Sequence, residues 1–212
     1  MTGDAGRTPR PTLDSESRAA LRRAFRIRRR AVPAAERHEA ARAVARLLEA
    51  AHLIAPGKRI AIYLAHDGEL DPVVIARTAR RRGATLYLPV ITRAATGKMR
   101  FAPLASPARA WRHNRYGIRE PGALPRLHRS AQRLDLVLLP LVAFDVAGHR
   151  LGMGGGYYDR ALAFRGRRSR WHRPVLVGLA YDCQEATCLS AASWDMPLDM
   201  VATPTRLILI RP

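Results

Sequence analysis

The sequence predicts an α/β protein in which a mostly parallel sheet is flanked by helices. Short apolar segments alternate with amphipathic helical segments along much of the chain, which favours parallel strands joined by crossover helices. The most apolar segment, 134–145, has the uniform character of a strand that is buried on both faces. A length of 212 residues suits one domain with a sizeable core.

The first elements are expected to be a pair of helices. Residues 13–30 and 34–54 place apolar side chains at the 3.6-residue spacing of a helix, and Pro33 separates the two. Residues 1–12, rich in Gly, Pro and Thr, predict a flexible tail. We therefore expect a single domain over 13–212.

The remainder alternates between strands and helices. Apolar, β-branched runs bounded by turn residues predict the strands, and capping residues mark the helix ends. The predicted strands are 58–65, 84–91, 98–104, 134–145, 175–182 and two short pieces within 199–210, and the predicted helices are 71–83 and 157–166. Residues 105–133 contain three prolines and predict irregular structure.

The charge is strongly basic, with 37 Lys and Arg residues against 17 Asp and Glu. A net charge of +20 is typical of proteins that bind polyanions. All basic residues except Lys58 and Lys98 are arginine, and they are scattered along the chain. This distribution indicates genome composition more than a nucleic-acid site, so nucleic acid is not an expected partner, whereas a small polyanionic substrate is compatible.

Several other classes of protein are disfavoured. No apolar run reaches the roughly 18 residues of a membrane span. The N-terminus has no apolar segment of a secretory signal, so a cytoplasmic location is expected. Cys183 and Cys188 match no common zinc spacing and are expected to be reduced.

The segment "LGMGGGYYDR", residues 151–160, is the main candidate for a functional site. Its four glycines follow a predicted strand and precede a helix, where backbone N–H groups can cradle a phosphate. It matches neither the P-loop nor the dinucleotide pattern. Asp159 is placed to hold a metal ion beside the phosphates, and Tyr157 and Tyr158 to stack on a ring. The alternative is a glycine-rich turn with a capping aspartate and two core tyrosines.

Other candidates are weaker on the residues alone. Asp199 precedes a short strand, where it is either a second metal ligand or a turn residue. Asp145 and Glu69 follow predicted strands, at the edge where open α/β sheets bind ligands, but both positions also suit ordinary loop residues. Arg18 and Arg22 lie four apart on one helical face and could clamp a phosphate.

Taken together, these segments resemble a known family. The stretch "LPLVAFDVAGHRLGMGGGYYDR" (139–160) is similar to the signature of the 5-formyltetrahydrofolate cyclo-ligase family, also called 5,10-methenyltetrahydrofolate synthetases. Supporting matches are "YLAHDGELD" (63–71), "YGIREP" (116–121) and "WDMPLDMVATPTRLI" (194–208). The resemblance covers about residues 15–210. It implies a three-layer α/β fold, with a mostly parallel sheet flanked by helices, related to sugar-phosphate isomerases and CoA transferases.

The resemblance implies a ligase of folate one-carbon metabolism. Such an enzyme converts 5-formyltetrahydrofolate to 5,10-methenyltetrahydrofolate with ATP and Mg²⁺, and releases ADP and phosphate.

The resemblance also implies the roles of individual residues. The implied ATP contacts are Arg18, Arg22, Arg150, Leu151, Gly152, Met153, Gly154, Gly155, Gly156, Tyr157 and Tyr158, with Arg22 and Tyr157 catalytic. The implied folate contacts are Leu64, Glu69 and Met153 to Tyr157, and the implied Mg²⁺ ligands are Asp159 and Asp199. The family commonly has lysine where this chain has Arg18.

Two alternatives stay open at this stage: a basic RNA-associated protein and a folate carrier without catalysis. RNA binding would depend steeply on salt, whereas folate turnover would not. A monomer is expected. The basic segment 165–173 suits substrates that carry a polyglutamate tail.

Overall fold

The computed structural model describes residues 15–93, 98–104, 111–114, 116–122, 124–166 and 173–210. Four helices pack around a seven-stranded sheet and two small two-stranded sheets. The helices are α1 (Ser15–Ala31), α2 (Ala34–Ala50), α3 (Val73–Arg81) and α4 (Tyr157–Leu162). The strands are β1 (Arg59–Ala61), β2 (Thr85–Arg93), β3 (Lys98–Pro103), β4 (Trp111–His113), β5 (Arg119–Pro121), β6 (Leu136–Pro140), β7 (Ala143–Phe144), β8 (Arg150–Leu151), β9 (Val175–Leu179), β10 (Met200–Ala202) and β11 (Leu207–Leu209).

The main sheet is mostly parallel, as predicted. Its strand order is β11-β10-β9-β6-β1-β2-β3, with parallel pairing from β10 to β2 and antiparallel pairing of the two outer strands β11 and β3. Strand β6 lies at the centre, and its first four residues are buried. The carboxyl ends of the parallel strands therefore meet at one edge, where ligands bind in open α/β sheets.

Helices cover both faces of this sheet. Along β6, Leu136 and Leu138 pack with the buried residues of α2 and α3, whereas Val137 and Leu139 pack with Leu162 of α4. Successive side chains of a strand point to opposite faces, so one buried strand supplies two cores. The result is the three-layer α/β arrangement that the family resemblance implies.

The structure corrects two of the predicted elements. The strand expected over 134–145 is broken after Pro140, and β7 instead pairs with β8 in a separate antiparallel ribbon. The break occurs where the carbonyl of Leu141 accepts hydrogen bonds from the side chains of Arg29 and Gln184. The segment 105–133, expected to be irregular, contains the antiparallel hairpin β4–β5 and two short 3-10 turns.

Some predictions concern residues outside the described ranges. The flexible tail over 1–12 and most of the basic segment 165–173 lie there. Within the described ranges, no helix has the length and apolar character needed to cross a bilayer.

Helix α1 lies across the carboxyl edge of the sheet and is fixed there by Asp67, in the loop after β1. The Asp67 carboxylate accepts hydrogen bonds from Arg26, Arg29 and Arg30 of α1. The backbone of Asp67 is left-handed, with φ of 54°, and Gly68 follows with φ of 77°. Burial disfavours the charged form of Asp67, but the three arginines outweigh it and lower the pKa of this carboxyl to about 2.

Replacing Asp67 with Asn should therefore destabilise the protein at neutral pH by about 2 kcal/mol. Because the folded pKa is lower than the usual value, this stability is present above about pH 4 and is lost as the pH falls through about 2. Urea unfolding at pH 7 and at pH 2.5 measures the difference, which should shrink at the lower pH. Glu39→Gln, in the exposed pair with Arg42, is the control and should change stability by less than about 0.5 kcal/mol. An equal loss for the two variants would contradict this account of Asp67.

Candidate active site

A cleft of about 970 Å³ opens at the carboxyl edge of the sheet. Its walls are α1, the ends of β1 and β6, the glycine-rich loop before α4, the β4–β5 hairpin and residues 190–195. The structure brings together in this cleft all the predicted site residues except Leu151 and Asp199. The cleft has room for ligands of substantial size, since pockets for drug-sized molecules measure roughly 300–1,000 Å³.

The glycine-rich loop has a backbone that side chains would disturb. Gly154 and Gly156 have φ of 94° and 62°, in the region that favours glycine. A Cβ on Gly155 would lie 2.9 Å from the ring of Tyr157, too close for any real contact. The loop thus presents a bare main chain to the cleft, directly before the first turn of α4. Such a main chain can approach an anionic ligand closely.

Arg22 of α1 holds this loop. Its Nε donates to the carbonyl of Gly152 at 2.9 Å, and its guanidinium lies 3.6 Å from where a Cβ of Gly154 would be. Burial and the nearby charge of Arg18 lower the pKa of Arg22. A cation in this environment gains from a bound anion, because an anion offsets the repulsion from Arg18.

Arg18 contacts the opposite end of the cleft wall. Its guanidinium donates to the carbonyl of Ser190 at 2.8 Å and to the carboxylate of Asp195 at 3.1 Å. Asp195 also accepts from the backbone N–H of Ala192, which stabilises the 190–195 wall. Arg18 therefore links α1 to this wall and keeps a positive charge at the cleft.

The two tyrosines after the glycines differ in their surroundings. The Tyr157 ring contacts the ring of Tyr116 edge-on at 6.0 Å, and the guanidinium of Arg160 lies 5.1 Å from its centroid. Arg160 also donates to the carbonyl of Gly155 at 2.6 Å. Both rings are half-buried, and burial raises the pKa of the Tyr158 hydroxyl. The aromatic contacts of Tyr157 therefore stabilise the shape of the loop.

Asp159 and Asp199, the predicted Mg²⁺ ligands, lie in different environments. Asp159 lines the cleft and accepts hydrogen bonds from Arg150 and from the backbone N–H of Met196. Asp199 precedes β10 and accepts from Arg165 at 2.8 Å and from the backbone N–H of Leu176 at 2.7 Å. Leu176 is the second residue of β9, so Asp199 lies towards the amino ends of the parallel strands.

Leu151 is also placed away from the cleft. Its side chain is buried in a cluster with Phe25, Val142, Ala143 and Leu189. Its neighbours Arg150 and Gly152 line the cleft, so Leu151 supports the loop from the core side.

Asp145, a weaker candidate, is buried and accepts hydrogen bonds from the backbone N–H groups of Ala147, His149 and Leu189. These bonds give Asp145 the turn-forming role that was its alternative interpretation.

Glu69 enters the cleft from the loop after β1. Its carboxylate accepts from the backbone N–H of His66 at 3.1 Å and lies 3.6 Å from the guanidinium of Arg29. Burial raises the pKa of Glu69 to about 7, although the charge of Arg29 opposes the rise. A carboxyl with a raised pKa in a cleft is typical of functional sites. Leu64, the other predicted folate contact, also lines the cleft.

Sequence reasoning missed a polar network beneath the hairpin wall. Glu120 of β5 is buried, and its carboxylate accepts from the backbone N–H of Ile91 and the side chain of Asn114. Asn114 in turn accepts from the backbone N–H groups of Tyr116 and Ile118. The network places Tyr116 beside the glycine-rich loop. The only signal in the sequence was the "YGIREP" motif, which does not reveal these partners.

Trp194 is a second residue that sequence reasoning left without a role. It lines the cleft and its side chain is 72% exposed, the largest exposure among the large hydrophobic residues of the described structure. Trp111, in contrast, lies outside the cleft lining, with Arg119 stacked 4.9 Å over its ring.

Comparison with known proteins identifies the group to which the chain is related. The model of the 5-formyltetrahydrofolate cyclo-ligase family matches residues 14–204. The 5-formyltetrahydrofolate cyclo-ligase of Escherichia coli (strain K12) is 35% identical over 183 residues, which cover 86% of this chain and 98% of the relative. The enzyme of that name from Haemophilus influenzae is 33% identical over 190 residues, covering 88% and 97%.

Solved structures agree with this relationship. The 5,10-methenyltetrahydrofolate synthetase of Aquifex aeolicus superimposes with a TM-score of 0.75 at 27% identity, covering 92% of this chain and 93% of that one. A synthetase from Mycoplasma pneumoniae has the same fold, with a TM-score of 0.66 at 23% identity and coverage of 88% and 98%. The chain therefore belongs to the 5-formyltetrahydrofolate cyclo-ligase family.

Proposed function

We propose that the cleft binds ATP and 5-formyltetrahydrofolate together and closes the formyl group onto N10 of the folate. Members of the family are ATP-dependent ligases that form 5,10-methenyltetrahydrofolate. The observation that carries the proposal is the presence, in one cleft, of a bare glycine loop backed by arginine and of a buried carboxylate. The glycine loop with its arginine suits a phosphate group, and the carboxylate suits the N–H groups of a pterin ring.

The glycine-rich loop and the two arginines are proposed to bind the phosphates of ATP. The guanidinium of Arg22 lies against the glycine-rich loop, at the carbonyl of Gly152 and beside Gly154, and both line the cleft. Arg18 adds positive charge along the same helix face, and its bond to Asp195 exchanges for a phosphate contact when ATP enters. Fixed donors of this kind stabilise the charge that develops during phosphoryl transfer.

The chemistry requires activation of a poor leaving group. The formyl oxygen attacks the γ-phosphorus of ATP, and the bond from that phosphorus to the ADP oxygen breaks. N10 then attacks the activated formyl carbon, the carbon–oxygen bond breaks with release of phosphate, and the N10 proton departs with that phosphate. No protein nucleophile is needed, so the chain acts by positioning, charge neutralisation and exclusion of water.

Asp159, which lines the cleft and is paired with Arg150, is proposed to help hold a Mg²⁺ ion. Mg²⁺ in phosphate-binding sites is usually held by one or two carboxylates together with phosphate oxygens and waters. Within the described residues, no group of three His, Cys, Asp or Glu side chains forms a complete metal cage. Asp159 would thus hold the ion jointly with ATP, and the ion would neutralise phosphate charge. Asp199, bonded to Arg165 and Leu176, stays a prediction as the second ligand.

Glu69→Gln tests the folate side of the proposal. The amide keeps the shape of the carboxylate but removes its charge, and hydrogen bonds to a charged group are worth roughly 1.5–3 kcal/mol. We expect KM for 5-formyltetrahydrofolate to rise about tenfold or more while KM for ATP changes little. Steady-state kinetics with each substrate varied in turn makes the measurement, with Glu39→Gln on the exposed face of α2 as control. Equal KM values for folate in the wild type and Glu69→Gln would contradict this role.

The RNA-binding alternative is tested by salt. Binding that neutralises several phosphates of a nucleic acid weakens steeply as salt rises. We expect turnover of 5-formyltetrahydrofolate to persist at salt concentrations that abolish any RNA retention.

A preference for polyglutamylated folate is a separate proposal, since segment 165–173 is rich in arginine. Most of this segment lies outside the described residues. Equal KM for monoglutamate and polyglutamate substrates would exclude that preference. A single elution volume at the mass of one chain would support the predicted monomer.

A further inference from the structure

We propose that Arg29 is a positioning residue for folate binding: its buried guanidinium, fixed to the frame of the cleft, holds Glu69 in place and in the charged form. The proposal rests on the proposed folate role of Glu69. Arg29 itself does not line the cleft, so it acts on the substrate only through Glu69.

Arg29 is completely buried, which is unusual for a basic side chain. Its Nε and one terminal nitrogen donate to the carbonyl and carboxylate of Asp67, at 3.2 and 2.8 Å. The other terminal nitrogen donates to the carbonyl of Leu141 at 3.1 Å. Asp67 follows β1 and Leu141 follows β6, so the guanidinium joins the ends of two neighbouring central strands. Its position is therefore fixed by the sheet.

The contact between Arg29 and Glu69 differs from these bonds. The terminal nitrogen that donates to Leu141 lies 3.6 Å from the Glu69 carboxylate, within the range of an ion pair but beyond a good hydrogen bond. The carboxylate is instead oriented by the backbone N–H of His66 at 3.1 Å. Arg29 thus supplies charge to Glu69 and leaves its oxygens available for donors on a ligand.

Among the described residues, Arg29 is the arginine that forms an ion pair with Glu69. The other titratable groups around Glu69 are Asp67 and His66 from its own loop, Tyr63 after β1, Tyr158 from α4 and Tyr181 after β9. Asp67 is negative, and burial raises the pKa of each of the three tyrosine hydroxyls, so they stay neutral. Burial raises the pKa of Glu69 itself to about 7 even with Arg29 in place. Without Arg29, the pKa of Glu69 would rise further, so a larger fraction of Glu69 would be protonated at neutral pH.

Arg26 and Arg30 provide matched controls. Both donate to the same Asp67 carboxylate from the same helix, so their loss weakens the anchoring of the loop as the loss of Arg29 does. Neither forms an ion pair with Glu69. Arg29 alone also bonds to the carbonyls of Asp67 and Leu141, so the informative difference is in the pH profile. A shift of that profile in Arg29→Gln that is absent from Arg26→Gln and Arg30→Gln reports on Glu69 and not on attachment of the loop.

The experiment compares Arg29→Gln, Arg29→Lys, Arg26→Gln and Arg30→Gln with the wild type, by kcat and KM for each substrate across pH 5.5–9. In the wild type, kcat/KM for folate should rise with pH through about 7, as Glu69 loses its proton. In Arg29→Gln, KM for folate should rise about tenfold at pH 7, whereas KM for ATP should stay within about twofold. The acid limb of the pH profile, which is the rise of kcat/KM for folate with pH, should move up by about one pH unit or more. Arg29→Lys should keep the limb near its original pH, since the charge remains.

The outcomes separate the two proposals. An inactive, folded wild type would overturn the proposed function, and normal folate KM in Glu69→Gln would overturn the role of Glu69. With both of those intact, an Arg29→Gln profile that matches Arg26→Gln and Arg30→Gln would overturn the role of Arg29. If Arg29→Gln does not fold, Arg29→Met, which also removes the charge but suits a buried site, carries the test. A pH profile for folate moved up by about one pH unit with unchanged ATP KM supports the proposal, and an unmoved profile overturns it.

Discussion

Arg22→Gln should lower kcat by about a hundredfold or more, the largest effect that we expect from one substitution. Loss of one fixed donor at a developing negative charge costs about 10²–10³ in kcat. Arg22 is such a donor, since it lies under Gly154, bonds to the carbonyl of Gly152 and faces the cleft. The loss should fall on kcat more than on KM for ATP, because the charge to be neutralised is greatest in the transition state.

The control for this substitution is Arg23→Gln. Arg23 is the next residue of α1, carries the same charge and is exposed, and it does not line the cleft. Its loss should change kcat by less than about twofold, since exposed charges at a distance are screened by salt. The assay is steady-state turnover at saturating ATP and folate. A kcat for Arg22→Gln within threefold of that of Arg23→Gln would show that Arg22 has no catalytic role.

Gly155→Ala should raise KM for ATP by about tenfold or more. The added methyl would lie 2.9–3.0 Å from two ring carbons of Tyr157. That ring cannot move freely, because Tyr116 contacts it edge-on and Arg160 lies over its face. Overpacking of this kind costs roughly 1–3 kcal/mol, and 1.4 kcal/mol is a tenfold change in affinity. The distorted loop should therefore bind phosphate poorly.

Gly152→Ala is the matched control within the same loop. Gly152 has no positive φ, and a Cβ there would meet no atom within 4 Å. We expect its KM for ATP and its kcat to stay within about twofold of the wild type. Nucleotide affinity measured by calorimetry with a non-hydrolysable ATP analogue gives the comparison without turnover. Equal affinities for the two alanine variants would show that the bare backbone at Gly155 is not needed.

The parts of the site that the sequence predicts are those with a local signal. Four glycines before a helix are contiguous in the chain, so their pattern alone indicates a loop with a bare backbone. Glu69 follows a buried strand, and parallel strands end at one edge, so topology places it at the cleft. The parallel sheet and its central strand β6 follow from the same alternation of elements.

The parts that the sequence does not predict depend on contacts between distant segments. Arg29 is one of many arginines in the chain, and only the packing of α1 against the ends of β1 and β6 buries it. The β4–β5 hairpin lies in a proline-containing segment, and Glu120 and Asn114 join it to β2 through bonds with no sequence pattern. Leu151 was assigned with the loop around it, although burial in a hydrophobic cluster orients its side chain towards the core.

The most direct test of the central claim follows the absorbance of the methenyl-folate product with purified protein, 5-formyltetrahydrofolate and Mg-ATP. The product band should grow only when both ATP and Mg²⁺ are present, and growth should be lost in Asp159→Ala, whose fold is checked by circular dichroism. That result would establish the cyclo-ligase reaction and the role of Asp159 together. A well-folded wild type that forms no product under these conditions would contradict the account and would leave a protein that binds nucleotide or folate without turning it over.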